Sequence, residues 1–129
     1  MITRGWERGP TPGVTPENLM IYLASPYSHP DPAVQQRRFE QVCGVASALM
    51  RNGTVVFSPI AHSHCISLAG GLPGDFIYWE EFDRTILSVC KALLVLKLEG
   101  WEESAGIKSE IAIMQEMGKP VGFLDYIVQ

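Results

Sequence analysis

Leu19-Met20-Ile21-Tyr22-Leu23-Ala24 is a continuous apolar run, closed at once by Ser25-Pro26-Tyr27-Ser28-His29-Pro30. A short run with no polar alternation predicts a strand covered on both faces, and the Ser/Pro cluster after it predicts a loop. Working outward, Asp31-Pro32 supplies a helix start, with Asp as cap and Pro in the first turn. Val42, Val45, Ala46 and Leu49 recur at helical spacing, and Asn52-Gly53 ends the helix. Thr54–Ser58 and Ala92–Leu96 read as further strands, and Val121–Leu124 as a fourth. A helix is expected from about Asp75 to Cys90, and another from the Ser104 cap to Met117, ended by Gly118. Residues 59–73, with Gly70-Gly71 and Pro73, read as a long loop, and 97–103 as another. The order β-α-β-α-β-α-β predicts a parallel sheet with helices on both faces, a doubly wound α/β sandwich. Such sheets bind ligands beyond the carboxyl ends of their strands, so the loops at 25–30, 58–73 and 97–104 are the ones expected to matter.

The chain has 129 residues, 47% of them hydrophobic and 19% charged, enough for one domain with a buried core. Residues 1–18, rich in Gly, Pro and Thr, read as a flexible N-terminal arm, leaving 19–129 as the single domain. The net charge of -4 argues against a grip on a nucleic-acid polymer. No apolar run approaches the roughly 20 residues of a membrane span, so no membrane partner is expected. The opening stretch MITRGWERGPTPG carries no apolar core, so no secretory signal is expected. Cys43, Cys65 and Cys90 are odd in number and form no C-x-x-C pair, the usage of a reduced, cytoplasmic chain without a disulfide framework. His62-Ser63-His64-Cys65 is the one metal-like cluster, but further ligands are not evident, and neither a metal nor an organic cofactor is expected.

Two carboxylates fall where apolar residues belong. Projected at about 100° per residue from Ile107, Glu110 lands at ~300°, between Met117 and Met114 on the apolar arc. Projected from Phe76, Asp83 lands at ~340°, among Phe82, Ile86 and Trp79. A buried carboxylate costs several kcal/mol unless paired or hydrogen-bonded. Either each one lies near a helix end and escapes to solvent or pairs locally, or the two form an acid/base or nucleophile pair. The loop Gly100–Gly106 ends at a helix N-terminus, where Ser104 and Gly106 let backbone N–H groups face an anion; a plain helix cap accounts for Ser104 equally well. Tyr22 either packs in the core or aims its hydroxyl at the site, and His62 and His64 either contact substrate or are ordinary loop residues. Trp79 reads as core or as a platform for a stacked base.

Tyr22-Leu23-Ala24-Ser25-Pro26-Tyr27, Phe82-Asp83-Arg84-x-x-Leu87 and Ser104-x-Gly106-x-x-x-Glu110 together resemble the nucleoside 2-deoxyribosyltransferase superfamily. Its relatives include the 2′-deoxynucleoside 5′-phosphate N-hydrolases and CMP N-glycosidases. Ser58–His64 and Gly100–Ser104 look like a small bacterial and phage branch of it. The resemblance covers roughly residues 20–125 and implies a flavodoxin-like (Rossmannoid) three-layer α/β/α sandwich with a parallel sheet of four to five strands. It implies cleavage of the N-glycosidic bond of a nucleotide or (deoxy)nucleoside 5′-monophosphate, with transfer to a second base as an extension. By position, Glu110 would be the nucleophile, Tyr22 its orienting partner, and Asp83 the group that assists the leaving base or binds a sugar hydroxyl. Ser25, Ser28, Ser104 and Gly106 would hold the 5′ end of the sugar. Lys91 stands where members often carry an Asp, and the segment 59–73 has no close counterpart. A homodimer or higher homo-oligomer acting on a small nucleoside or nucleotide is expected. The alternative is a non-catalytic nucleotide-binding module on the same fold.

Overall fold

The computed structural model describes residues 19–127, so the expected arm at 1–18 and the last two residues of the domain lie outside the described residues. The opening apolar run forms β1, Met20–Ala24. Helix α1, Pro32–Arg51, starts as its sequence dictates, the Asp31 carboxylate accepting from the Ala33 N–H. Strand β2 is Val55–Phe57, β3 is Ala92–Lys97 and β4 is Val121–Asp125. Helix α3, Phe76–Val89, is capped by Asp75, and its last carbonyls at Leu87 and Ser88 are met by the Lys119 ammonium at 3.1 and 2.7 Å. A single 3₁₀ turn, Trp101–Glu103, leads into α4, Ala105–Glu116, whose Ser104 cap accepts from the Ile107 N–H.

One expectation is corrected. Residues 59–70 are not a loop but a helix, α2, Pro59–Gly70. Ser58 caps it by accepting from Ala61, Pro59 opens its first turn, and Gly71 ends it in the left-handed region at φ 62°. Its apolar residues are scattered around the axis instead of forming one stripe, so no period marks it in the sequence.

The four strands are all parallel, in the order β2-β1-β3-β4. Tyr22 lies opposite both Phe57 and Leu93, which fixes β1 at the centre. Alternate residues of the buried strands feed separate cores. Tyr22, Ala24, Leu93 and Val95 pack against Leu87 of α3 and Ile107, Ile113 and Met114 of α4. Leu23, Val56 and Leu96 pack against Val42 and Ala46 of α1. The faces follow from handedness: the chain steps from β1 to β2 one way, then back across β1 to β3 and on to β4, and right-handed crossovers put those connections on opposite sides. The described residues therefore form a flavodoxin-like α/β/α sandwich with four strands, the lower of the expected numbers. The connections leaving β1 and β3 part to opposite faces, and a crevice opens between them at the carboxyl ends. No helix among the described residues is long and apolar enough to cross a membrane.

Candidate functional site

A cleft of about 1000 Å³ occupies that crevice. Its walls are the loop after β1, the inner face of α2, the first half of α3 and the start of α4. Ser25, Ser28, His64, Trp79, Asp83, Ser104, Gly106 and Glu110, all read from the sequence, line it. Tyr22 lies beneath the cleft, fully buried in mid-strand, and donates its hydroxyl hydrogen to Glu110 Oε2.

Glu110 and Asp83 are only 5% and 7% exposed, so neither escapes to solvent. Burial pushes the Glu110 carboxyl from its ordinary 4.5 up to about 8; the Tyr22 hydrogen bond opposes this and the Asp83 charge adds to it. Burial pushes Asp83 up to about 6, again opposed by the Tyr22 hydroxyl. Tyr22 itself is raised well above the usual phenol value, first by burial and then by the two carboxylates, so it remains a donor. The carboxyls titrate as a pair. Near neutrality one is protonated and the other is not.

The neighbouring polar groups are of two kinds. The Ser104 hydroxyl is taken up as the α4 cap, and Ser28 donates to the Gly74 carbonyl at 3.1 Å, tying the β1–α1 loop to the α2–α3 turn. Ser25 is buried and its Oγ has no hydrogen-bond partner, an unmet polar atom on the cleft wall. The same cleft is lined by the α4 N-terminus, Ser104 to Gly106, which offers backbone donors and the positive end of its dipole.

His62 is not among the residues that line the cleft. It is exposed, its ring held between Phe57 and Phe82 at 5.5 and 5.7 Å and its Nδ1 against the Ser63 hydroxyl. Residues two apart on a helix point roughly 200° from one another, so only one of the two histidines can face inward. It is His64, stacked on Phe39. Among the described residues no group of three or more His, Cys, Asp or Glu could hold a metal ion. Trp79 is a wall residue and not core, its indole N–H donating to the Pro73 carbonyl at 2.8 Å.

Arg38 was not legible from the sequence. Its guanidinium lines the cleft and bridges the two loops of the switch point, donating to the Ser28 carbonyl at 3.0 Å and the Glu99 carbonyl at 3.1 Å. Gly100 makes room: at φ 89°, a Cβ there would lie 2.6 Å from Arg38 Nη2. Nothing in the surrounding Gln35-Gln36-Arg37 distinguishes Arg38, because the contact depends on a loop about sixty residues away in the chain.

No curated protein matches the chain. A family model, described as a domain of unknown function (DUF1937), matches residues 19–125. That span takes in every strand and helix among the described residues and all the lining residues named above, and the chain belongs to this family.

Proposed function

We propose that the protein cleaves the N-glycosidic bond of a nucleotide or (deoxy)nucleoside 5′-monophosphate, in the manner of the nucleoside deoxyribosyltransferase-like enzymes its motifs resemble. The observation that carries this reading is the pair Glu110 and Asp83, buried side by side at the floor of a ligand-sized cleft with Tyr22 donating from below. A retaining displacement starts from one ionised and one protonated carboxyl, the state this pair holds near neutrality. A Glu110 carboxylate oxygen attacks C1′, the C1′–N bond breaks, and the base leaves with the electron pair and the Asp83 proton. Water then attacks C1′, returns a proton to Asp83 and frees Glu110, releasing the sugar 5′-phosphate. In the free cleft the higher proton affinity lies with Glu110. Before attack the proton passes to Asp83, and the Tyr22 hydroxyl, which stabilises both carboxylates, lowers the cost of that transfer. The unpartnered Ser25 hydroxyl, the α4 N-terminus and the Arg38 guanidinium form an anion-accepting end suited to a 5′-phosphate.

The test is incubation of purified protein with ribo- and deoxyribonucleosides and their 5′-monophosphates, reading free base by chromatography beside a Glu110→Ala control. Free base from the wild type alone, at least ~10³-fold above the variant, is the expected result. Equal release from both removes Glu110 as nucleophile. No release, with ligand-induced thermal shifts in both proteins, identifies a nucleotide-binding module instead.

A further inference from the structure

A chain of hydrogen bonds that the reaction does not use runs from the surface to the cleft: Glu40, Gln36, His64, Tyr27. Its direction follows from its outer end. The Glu40 carboxylate only accepts, so the Gln36 amide NH₂ faces it, at 3.1 Å. The Gln36 carbonyl oxygen must then face His64 Nε2, at 3.0 Å, and accepts its N–H. That leaves His64 Nδ1 with a lone pair, and it accepts the Tyr27 hydroxyl hydrogen at 2.6 Å. Stacking on Phe39 at 4.2 Å and an edge contact with Tyr27 hold the imidazole in this orientation. The proton of the Tyr27 hydroxyl is committed, and its oxygen has only lone pairs to offer a ligand.

The strand order says which part of the ligand meets this oxygen. α2 follows β2 and α4 follows β3, and β2 and β3 flank β1, so α2 and α4 bound opposite ends of the cleft. The α4 end carries the anion-accepting groups. The α2 end carries Tyr27, bonded to His64 of α2, Leu72 just after that helix, and Trp79, tied to the neighbouring Pro73 carbonyl, aromatic and apolar surface suited to a flat base.

We propose that Tyr27, oriented by His64, is a specificity-determining residue that selects a base with an exocyclic amino group, such as cytosine or adenine, over its carbonyl counterpart. An amino N–H donates to the Tyr27 oxygen; the O4 of uracil or the O6 of hypoxanthine would meet it lone pair to lone pair. His64 acts here as a positioning residue. The inference rests on the nucleotide reading above and names the substrate class of the same site.

The test measures both turnover and binding on matched pairs: cytidine against uridine 5′-monophosphate and adenosine against inosine 5′-monophosphate, with the deoxy forms alongside. Binding is read by calorimetry on Glu110→Gln, so it does not depend on chemistry. The wild type is expected to favour the amino-bearing member of each pair about tenfold or more, and Tyr27→Phe to bring the ratio near unity. His64→Phe keeps the stack on Phe39 but frees the Tyr27 hydroxyl to donate. It is expected to raise affinity for the carbonyl bases, a gain that structural damage cannot produce. Turnover without preference, or a preference unchanged in Tyr27→Phe, overturns this inference and leaves the glycosidase reading standing. Selective binding without free base supports it while the glycosidase reading falls. Absence of binding by every nucleotide overturns both.

Discussion

Glu110 and Asp83 act through their surroundings. Each is a carboxyl on a helix face that would otherwise be apolar, and burial raises both, to about 8 and about 6. The sign sets a pH profile. In the proposed mechanism both hold protons below about 6, which leaves no nucleophile, and both are ionised above about 8, which leaves no acid for the leaving base. The rate is expected to be bell-shaped with its maximum near neutrality, measured as kcat/KM against pH. Tyr22→Phe removes a hydrogen bond that lowers both values, so its bell should move to higher pH and lose height. A flat wild-type profile across the neutral range would contradict the pair. Both carboxyls were legible in the sequence because a helical projection is local arithmetic. Arg38 and Tyr27 were not, because what distinguishes them is a partner on another element.

At the scale of elements, the site depends on one short seam. The Arg38 guanidinium holds the loop after β1 to the loop after β3, and it can do so only because Gly100 has no side chain. Gly100→Ala is expected to cost about 1–2 kcal/mol in denaturant unfolding, since a Cβ at φ 89° is strained and Arg38 must also shift. Ligand affinity should fall further than stability, because the anion-accepting end is disturbed. A variant as stable as wild type with intact binding would show the seam to be incidental. Helix α2 is the element that sequence reading missed. Its cap, Ser58-Pro59, and its terminator, Gly71, were visible as residues, but without a one-sided apolar stripe nothing joined them into a helix. Its place under the α1 N-terminal half is set by packing, with His64 as the buried polar residue between them.

For the whole molecule, the cleft is a site where folding stability is given up. A carboxyl whose folded value lies above its unfolded one binds its proton more tightly when folded, so its stabilising share is lost as pH rises from the ordinary 4.5 through about 8. Wild type should therefore weaken across that window more than Glu110→Gln, whose amide does not ionise. The difference, on the order of a few kcal/mol at the alkaline end, is read from thermal melts at matched pH. Equal pH dependence in the two proteins would mean that Glu110 is not the group that titrates.

The sequence by itself determined the alternation of buried strands and helices, the parallel sheet, the caps at Asp31 and Ser104, and the two out-of-place carboxylates. All of these are properties of neighbours a few residues apart. Only the tertiary structure decided that Tyr22 reaches Glu110 across 88 residues, that His64 faces inward while His62 does not, and that Arg38 spans Gly100. Those contacts join elements brought together by strand order and crossover handedness. Side-chain periodicity along one segment carries no record of which other segment will lie above it.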